Sequence, residues 1–546
     1  MRGKVRRRWL VAALAVAIVG CLLATAGPLQ GGSVVATAGI HAASTVKAGG
    51  LDERGHLVAP GSFGATARAV GKGGAMGVRS FPLGATTLPP VGAAKTVGGS
   101  SGTVQAAGSS AGGAGTAALP LATTSPAVKS RFTGIADDGF YPPDSQMAVN
   151  KTTVLEVVNS ELRVTTLTGK LLAGPVTLNA FFLLPTTDSV SDVQALYYSF
   201  SGGRFIFTAV DFTTNTGYIA ISQANSAVGS YWVYYYGQGF NGYANYMDQP
   251  VFGFTTQEIG VDTNQYDSTF TTFYGSIGSV FGAAKMMKGT FSFQVGVIST
   301  GSSYASVHPA RSVTNNGTGS PLLYWATTGG VSGSTSLWVY ATMGLPGSVA
   351  LQSIYVYPIA NTGFVPGAPQ AGTAALITTD DGRVQSVSWA HTGSGGSLWV
   401  TYSTSCIPVG DNTARACVRV DEISTDVNYL AQDTDTGVAG YYLFYGALTA
   451  LPGLGPGYLM IVGFSGPLSY PSVAVTGQFS TDVFGTFRGP TLVFSGLSYD
   501  TSQRYGDYSG AQYYFPSGSI NPTAWGVTEF DKAPSVWSTE VVHFGF

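Results

Sequence analysis

Seven short stretches set a polar or aromatic residue just ahead of a strand-like apolar run: Asp144 (PPDSQMAV), Asp192 (SDVQALYY), Asp248 (MDQPVFGF), His308 (VHPARSV), Arg383 (DGRVQSVSW), Tyr441 (GYYLFYGAL) and Asp507 (GDYSGAQYY). They recur every roughly 50 to 75 residues, the size of a four-stranded propeller blade with generous loops. In a closed ring of blades, the openings of all first strands meet at one mouth of a central channel. Asp144, Asp192, Asp248 and Asp507 would converge there with His308, Arg383 and Arg504. Carboxylates about 7 Å apart repel by only about 0.6 kcal/mol per pair in water, and by about 2.4 kcal/mol at an effective dielectric of about 20. A wet channel tolerates such a set; a drier one needs an arginine or a cation. The ring is therefore either an axial site for a polar ligand or calcium, or a set of side chains that pin backbone groups where strands begin. No cofactor is required by either reading, and calcium is the one candidate.

Other chemistry is thin. There is no G-x-S-x-G elbow and no H-E-x-x-H, and beyond residue 131 only His308, His391 and His543 are available to a Ser-His-Asp arrangement. The run Asp433-Thr434-Asp435-Thr436-Gly437 resembles the first half of a calcium loop, but the closing glutamate is missing, which favours a solvated turn. The aromatic stretch 231–245 (YWVYYYGQGFNGYAN) offers rings either for stacking on sugar faces or for packing between blades.

The elements that must position these residues are strands. From Arg131 onward, runs such as TVLEVVN, RFIFTAVDF, YWVYYYG, LWVTYST and SVAVTGQF are rich in Val, Ile, Tyr, Phe, Trp and Thr and are separated by Gly, Asn, Asp or Ser turns. One short helix is expected, over 281–288 (FGAAKMMK). Many short strands without alternating helices exclude a parallel α/β sheet and leave a sandwich, barrel or propeller. The block 192–237 decides among these, since it reads as four successive strands joined by hairpin-length links. The last block, from Asp507, holds about three strands, so ring closure calls for one from the N-terminal side. The expected fold is all-β: a propeller at 131–546 with seven blades, six or eight remaining open.

Composition sets the surroundings. Charged residues are 10% of the 546-residue chain and the net charge is −2, so there is no basic field to hold nucleic acid. With so few carboxylate pairs to lose, tolerance of acid is expected. Arg2, Lys4, Arg6, Arg7 and Arg8, the apolar run 9–23 and Ala24-Thr25-Ala26 have the build of a secretory signal peptide (1–26), giving an extracellular or cell-surface address. The alternative is lipid attachment at Cys21, after Ile18-Val19-Gly20. The run is too short to span a bilayer, and no later one is long enough. The stretch 27–130, rich in Gly, Ala, Ser and Thr, should be a disordered stalk or pro-segment, with short apolar pieces such as Phe81-Pro82-Leu83 able to dock on the following domain. Removing the signal leaves Cys406 and Cys417, an even count that suggests a disulfide bracing a hairpin.

Taken together, PPDSQMAVN with VLEVVNSELRV and TGKLL (142–172), DVQALYYSFSGGRFIF (192–207), ISQANSAVGSYW (221–232) and RYGDYSGA (504–511) resemble a group of exported microbial β-propeller proteins related in form to sialidase-like, Asp-box propellers. The resemblance covers most of 131–546 and implies fold and export more than activity. Ser480, Asp482, Gly485 and Phe487 are similar to an Asp-box turn, with the glycine shifted and Phe in place of Trp; in such folds the turn is structural. A sialidase-type enzyme would need an arginine cluster, a tyrosine nucleophile with a carboxylate partner and a general acid. The nine arginines after the stalk show no Arg-Ile-Pro motif and no three assignable to one rim. The functional expectation is a binding or adhesion module for carbohydrate or envelope components. A sialidase-like glycoside hydrolase or lyase, and a structural envelope or matrix protein, are the alternatives.

Overall fold

A computed structural model describes residues 124–546 except 238–244, 316–320, 329–332, 380–381, 454, 503 and 515–520, together with backbone at 65–67 and 77–81. The expected signal peptide, Cys21 and most of 27–130 lie outside the described residues.

The chain is all-β, and its sheets are up-and-down meanders in which each strand pairs antiparallel with the next. Gln146–Val149, Thr153–Val157, Glu161–Thr166 and Leu171–Thr177 make the first sheet. The block expected to form a complete blade does so, as Val190–Tyr198, Arg204–Asp211, Thr216–Ser222 and Gly229–Tyr236. Backbone pairing adds Gly77–Phe81 and Ala65–Ala67 to its outer edge, so the segment ending at Phe81 is paired to the domain. His308–Pro309 with Leu323–Thr327, Ser336–Met343 and Ala350–Pro358 form another sheet, and Tyr442–Ala450, Tyr458–Gly466, Ser469–Gln478 and Arg488–Phe494 a further one.

The blade count departs from seven. Five sheets stand as separate blades, and the other strands join one nine-stranded sheet. Within it, two four-stranded meanders, 246–299 and 384–436, are bridged by Arg311–Ser312, which pairs parallel to the innermost strand of each. The fusion has a steric cause. A Cβ at Gly253 would lie 2.4 Å from the carbonyl oxygens of Pro309 and Ala310, so only glycine lets the two backbones come this close.

The ring closes as the short final block requires. Gly510–Tyr514, Thr523–Ala533 and Val536–Gly545 take Ala127–Ala136 as their fourth, outermost strand, antiparallel to Val536–Gly545. The closing strand begins at Ala127, four residues inside the segment read as stalk. Glu156 rivets this seam: its carboxylate accepts from Ile135 N at 3.0 Å, from the Thr539 hydroxyl and from Arg163 Nε at 2.8 Å.

Large side chains fill the wedges between sheets. Phe181 and Phe182 pack on Phe207, Tyr218 and Tyr231 between the first two sheets. They are carried by a short helix, Leu178–Phe182, that the sequence reading missed; its Thr177 side chain accepts from Ala180 N. The helix expected over 281–288 is present as Ala283–Met286. Cys406 and Cys417 are disulfide-bonded across the hairpin of Gly395–Cys406 and Arg415–Ser424. The run 433–437 is not a turn: Asp433 and Asp435 lie in or at the strand Tyr429–Thr436 and both pair with Arg419.

The seam gives a test. A Cβ at Gly134 would fall 2.0 Å from Thr539 Oγ1 and 2.2 Å from Glu156 Oε1. Gly134→Val should therefore cost about 2–3 kcal/mol through overpacking, read as a lower melting temperature, and an unchanged transition would show that this strand does not hold the ring closed.

Candidate functional site

At the start of the innermost strands one backbone conformation recurs. Asp144 (φ 46°), Asp192 (φ 55°), Gln249 (φ 46°), Ser306 (φ 51°) and Tyr445 (φ 52°) are all left-handed, and Gly506 (φ 38°) takes the corresponding place in the last sheet. Such values are uncommon outside glycine. At 192, 249 and 445 the residue lies in a break of register against the second strand. Each break is a bulge that turns a side chain and an N–H out of the ladder.

These groups find their partners on neighbouring sheets. The Asn159 amide donates to Asp144 Oδ2 at 2.8 Å and to Pro142 O at 3.0 Å, while its oxygen accepts from Asp192 N at 3.0 Å. Asp144 Oδ1 accepts from Asp507 N at 2.5 Å, and Asp192 Oδ2 from Gln249 N at 3.0 Å. Gln249 Oε1 then accepts from Ser306 Oγ at 3.0 Å, Asn264 Nδ2 at 3.2 Å and Arg383 Nη1 at 3.1 Å. A belt of hydrogen bonds thus runs from sheet to sheet around the mouth.

The sequence-derived ring is brought together in large part. Asp144, Asp192, Asp248 and Asp507 act on one another electrostatically, with Arg504 beside Asp144 and Arg383 beside Asp248. Arg504 also pairs with Asp507 at 2.8 Å. Burial, followed by the neighbouring carboxylates, pushes Asp144 and Asp248 well above the usual carboxylate range. Asp192 is raised too, chiefly by burial, with Asp507 adding to the rise and bonds from Gln249 N and Ser191 opposing it. Among the described residues, no group of three or more His, Cys, Asp or Glu is arranged to hold a metal ion.

Two members stand apart from the carboxylates. His308 is buried, and desolvation together with Arg311 and Arg383 lowers its pKa to about 3, so it stays neutral. Tyr441 packs against Phe464 between sheets, and Tyr445, four residues on, takes the left-handed position. The Asp-box-like residues form a structural turn: Asp482 accepts from Phe479 N and both Arg488 Nε and Nη2, Gly485 has φ 76°, and Phe487 is buried. The aromatic stretch serves packing where it is described, since Tyr231, Tyr234 and Tyr236 are fully buried; 238–244 lies outside the described residues.

The sequence reading missed the other end of the channel. Where the same innermost strands finish, an axial cavity of about 490 Å³ opens, lined by Asn150, Lys151, Tyr197, Arg311, Gln512 and Tyr513 among others. None of the described lining residues is Asp or Glu. Gln512 stitches the floor, accepting from Val149 N and Tyr197 N, both at 3.1 Å, and donating to Val149 O at 2.7 Å.

A ring of antiparallel meanders with an axial channel defines a β-propeller. No family model matches this chain, and no curated protein matches it. Among solved structures it is similar to the quinohemoprotein alcohol dehydrogenase of Comamonas testosteroni (8% identity, TM-score 0.35, covering 73% of this chain and 66% of that one). It is likewise similar to the Trypanosoma rangeli sialidase in complex with 2,3-difluorosialic acid (9%, TM-score 0.32, 75% and 59%) and to the polysaccharide lyase Uly1 (11%, TM-score 0.32, 74% and 90%). The chain thus spans less than two thirds of the length of the dehydrogenase and of the sialidase.

Two measurements test the site's energetics. Asn159→Ala leaves buried partners on Asp144, Asp192 and Pro142 unmet and should cost about 3 kcal/mol, readable by denaturant unfolding. The second is pH dependence. Burial raises Glu161 and Asp262 to about 7, and Glu258 and Asp531 to about 8. Folding thus favours their protonated forms, and the stability this gives is complete below the unfolded value near 4 and lost as pH rises through 7 and 8. His308 and His543, lowered to about 3 and about 4, act in the opposite sense but only below about 6.5. The melting temperature should therefore fall between pH 6.5 and 9; a rise over that window contradicts the assignment.

Proposed function

We propose that this protein is an exported β-propeller that binds carbohydrate in its axial pocket, acting as a binding or adhesion module at the cell surface or outside the cell. In this reading the N-terminal 26 residues direct export, and each meander of the nine-stranded sheet occupies one blade's place, completing a ring of seven. The observation that carries the proposal is the pocket itself. At about 490 Å³ it has the size of a small-ligand site, with half-buried Tyr197, Tyr513 and Tyr514 and amide groups around it, and no carboxylate among its described lining to serve as acid or nucleophile. Tyrosine offers a flat apolar face with a polar tip, which suits a sugar ring. Polar groups at the opposite mouth are engaged in the hydrogen-bond belt, which supports a structural role there.

One observation favours a second reading, a glycoside hydrolase or lyase. Asp192 and Asp248 lie close together with Arg383 beside Asp248, and burial raises both carboxyls, a setting that suits a general acid. A calcium ion at that mouth is the remaining proposal for the acidic ring.

Screening the full chain on a glycan array separates these. Binding that Tyr513→Ala weakens about tenfold, or about 1.4 kcal/mol, with glycans recovered intact, supports the binding module. Glycans shortened by the protein, and left whole by Asp248→Asn, would replace it with the hydrolase.

A further inference from the structure

The pocket end of the channel holds a cation that no carboxylate among the described residues answers. Arg131, Arg163, Arg415, Arg419, Arg488 and Arg504 each sit against an Asp or Glu. Arg311 makes no such pair among the described residues. Its Nη2 donates to Gln194 Oε1 at 3.0 Å and to Gln146 Oε1 at 3.5 Å, and its Nη1 to Ala511 O at 3.3 Å. All three acceptors are neutral. They come from the innermost strands of three different sheets, so the guanidinium is fixed across the channel. Burial alone lowers its pKa, to about 10, which leaves it charged at neutral pH.

A charge taken out of water without a counter-charge is costly. Here the cost is met by uncharged oxygens on one side, while the other side faces the cavity. Lys151 lines the same cavity, which therefore carries two cations and no described Asp or Glu. Of the five N–H donors of a guanidinium, three are engaged by protein acceptors. The Nε–H and one Nη1 hydrogen remain for a ligand, and the positive charge between them favours a carboxylate. Tyr197 and Tyr513 rings and the hydroxyl of Thr152 complete a lining suited to a hydroxylated ring.

We infer that the axial pocket takes an acidic sugar, a monosaccharide unit whose carboxylate sits on the Arg311 guanidinium. This rests on reading the pocket as a sugar site. Titration calorimetry on the full chain with D-glucuronate, D-glucuronamide and D-glucose tests it, because the amide keeps the sugar's shape and removes its charge. The expected result is glucuronate bound at least about tenfold more tightly than glucuronamide, with Arg311→Gln abolishing that preference and Arg311→Lys keeping part of it. Equal binding of glucuronate and glucuronamide by the unaltered protein would overturn the carboxylate assignment and leave the sugar site standing. Binding of none of the three overturns both. The comparison of acid with amide needs no variant, so an Arg311 substitution that fails to fold does not decide the outcome.

Discussion

The innermost strand of a propeller blade has one edge that no further strand can pair, and the backbone groups on that edge still need partners. In this protein the need is met by side chains reaching from sheet to sheet. Asn159 joins Asp144 to Asp192, Asp192 receives Gln249 N, and Gln249 gathers Ser306, Asn264 and Arg383. For these contacts to form, a residue in each strand must turn out of the ladder. That is why non-glycine residues are held in the left-handed region at the same point of successive sheets. The strain, of order 1–3 kcal/mol per residue, is offset by bonds that form as neighbouring sheets come together, and the Asp144–Asp507 bond needs the closed ring.

The belt also divides the channel's labour. Carboxylates collect at one mouth, where burial and mutual repulsion raise the pKa of Asp144 and Asp248 and the nearby Arg504 and Arg383 oppose that rise. Cations collect at the opposite end, where Arg311 and Lys151 face an open cavity. The separation follows from strand direction: side chains ahead of the innermost strands face one mouth, and those at their far ends face the other.

Much of this was legible in the residues. Period and turn chemistry located the meanders, the incomplete last block announced a closing strand, and the pair Cys406–Cys417 was readable from an even count. The ring was legible only to within a few residues. Asp144 and Asp192 occupy the left-handed positions themselves, whereas Asp248 is one residue before Gln249, His308 two after Ser306 and Tyr441 four before Tyr445. A bulge shifts facing by one residue without changing composition, so pattern alone cannot place it. The fusion of two meanders through Arg311–Ser312 was equally hidden, because two residues leave no periodicity to read. Arg311 gave one available signal: it stands alone in VHPARSV, with no acidic residue within that run to pair it locally.

The seam between Ala127–Ala136 and Val536–Gly545 joins distant parts of the chain: Ala127 pairs with Gly545, and the Arg131–Glu540 ion pair spans 409 positions. At the roughly 5–20 residues per second of synthesis, the first of these strands waits on the order of 20–80 s for its mate to be made. Throughout that interval the growing arc has two free ends, each a template for pairing with another copy. Keeping this open arc apart from its copies until the last strand emerges is therefore as much a condition of the finished wheel as any contact within it.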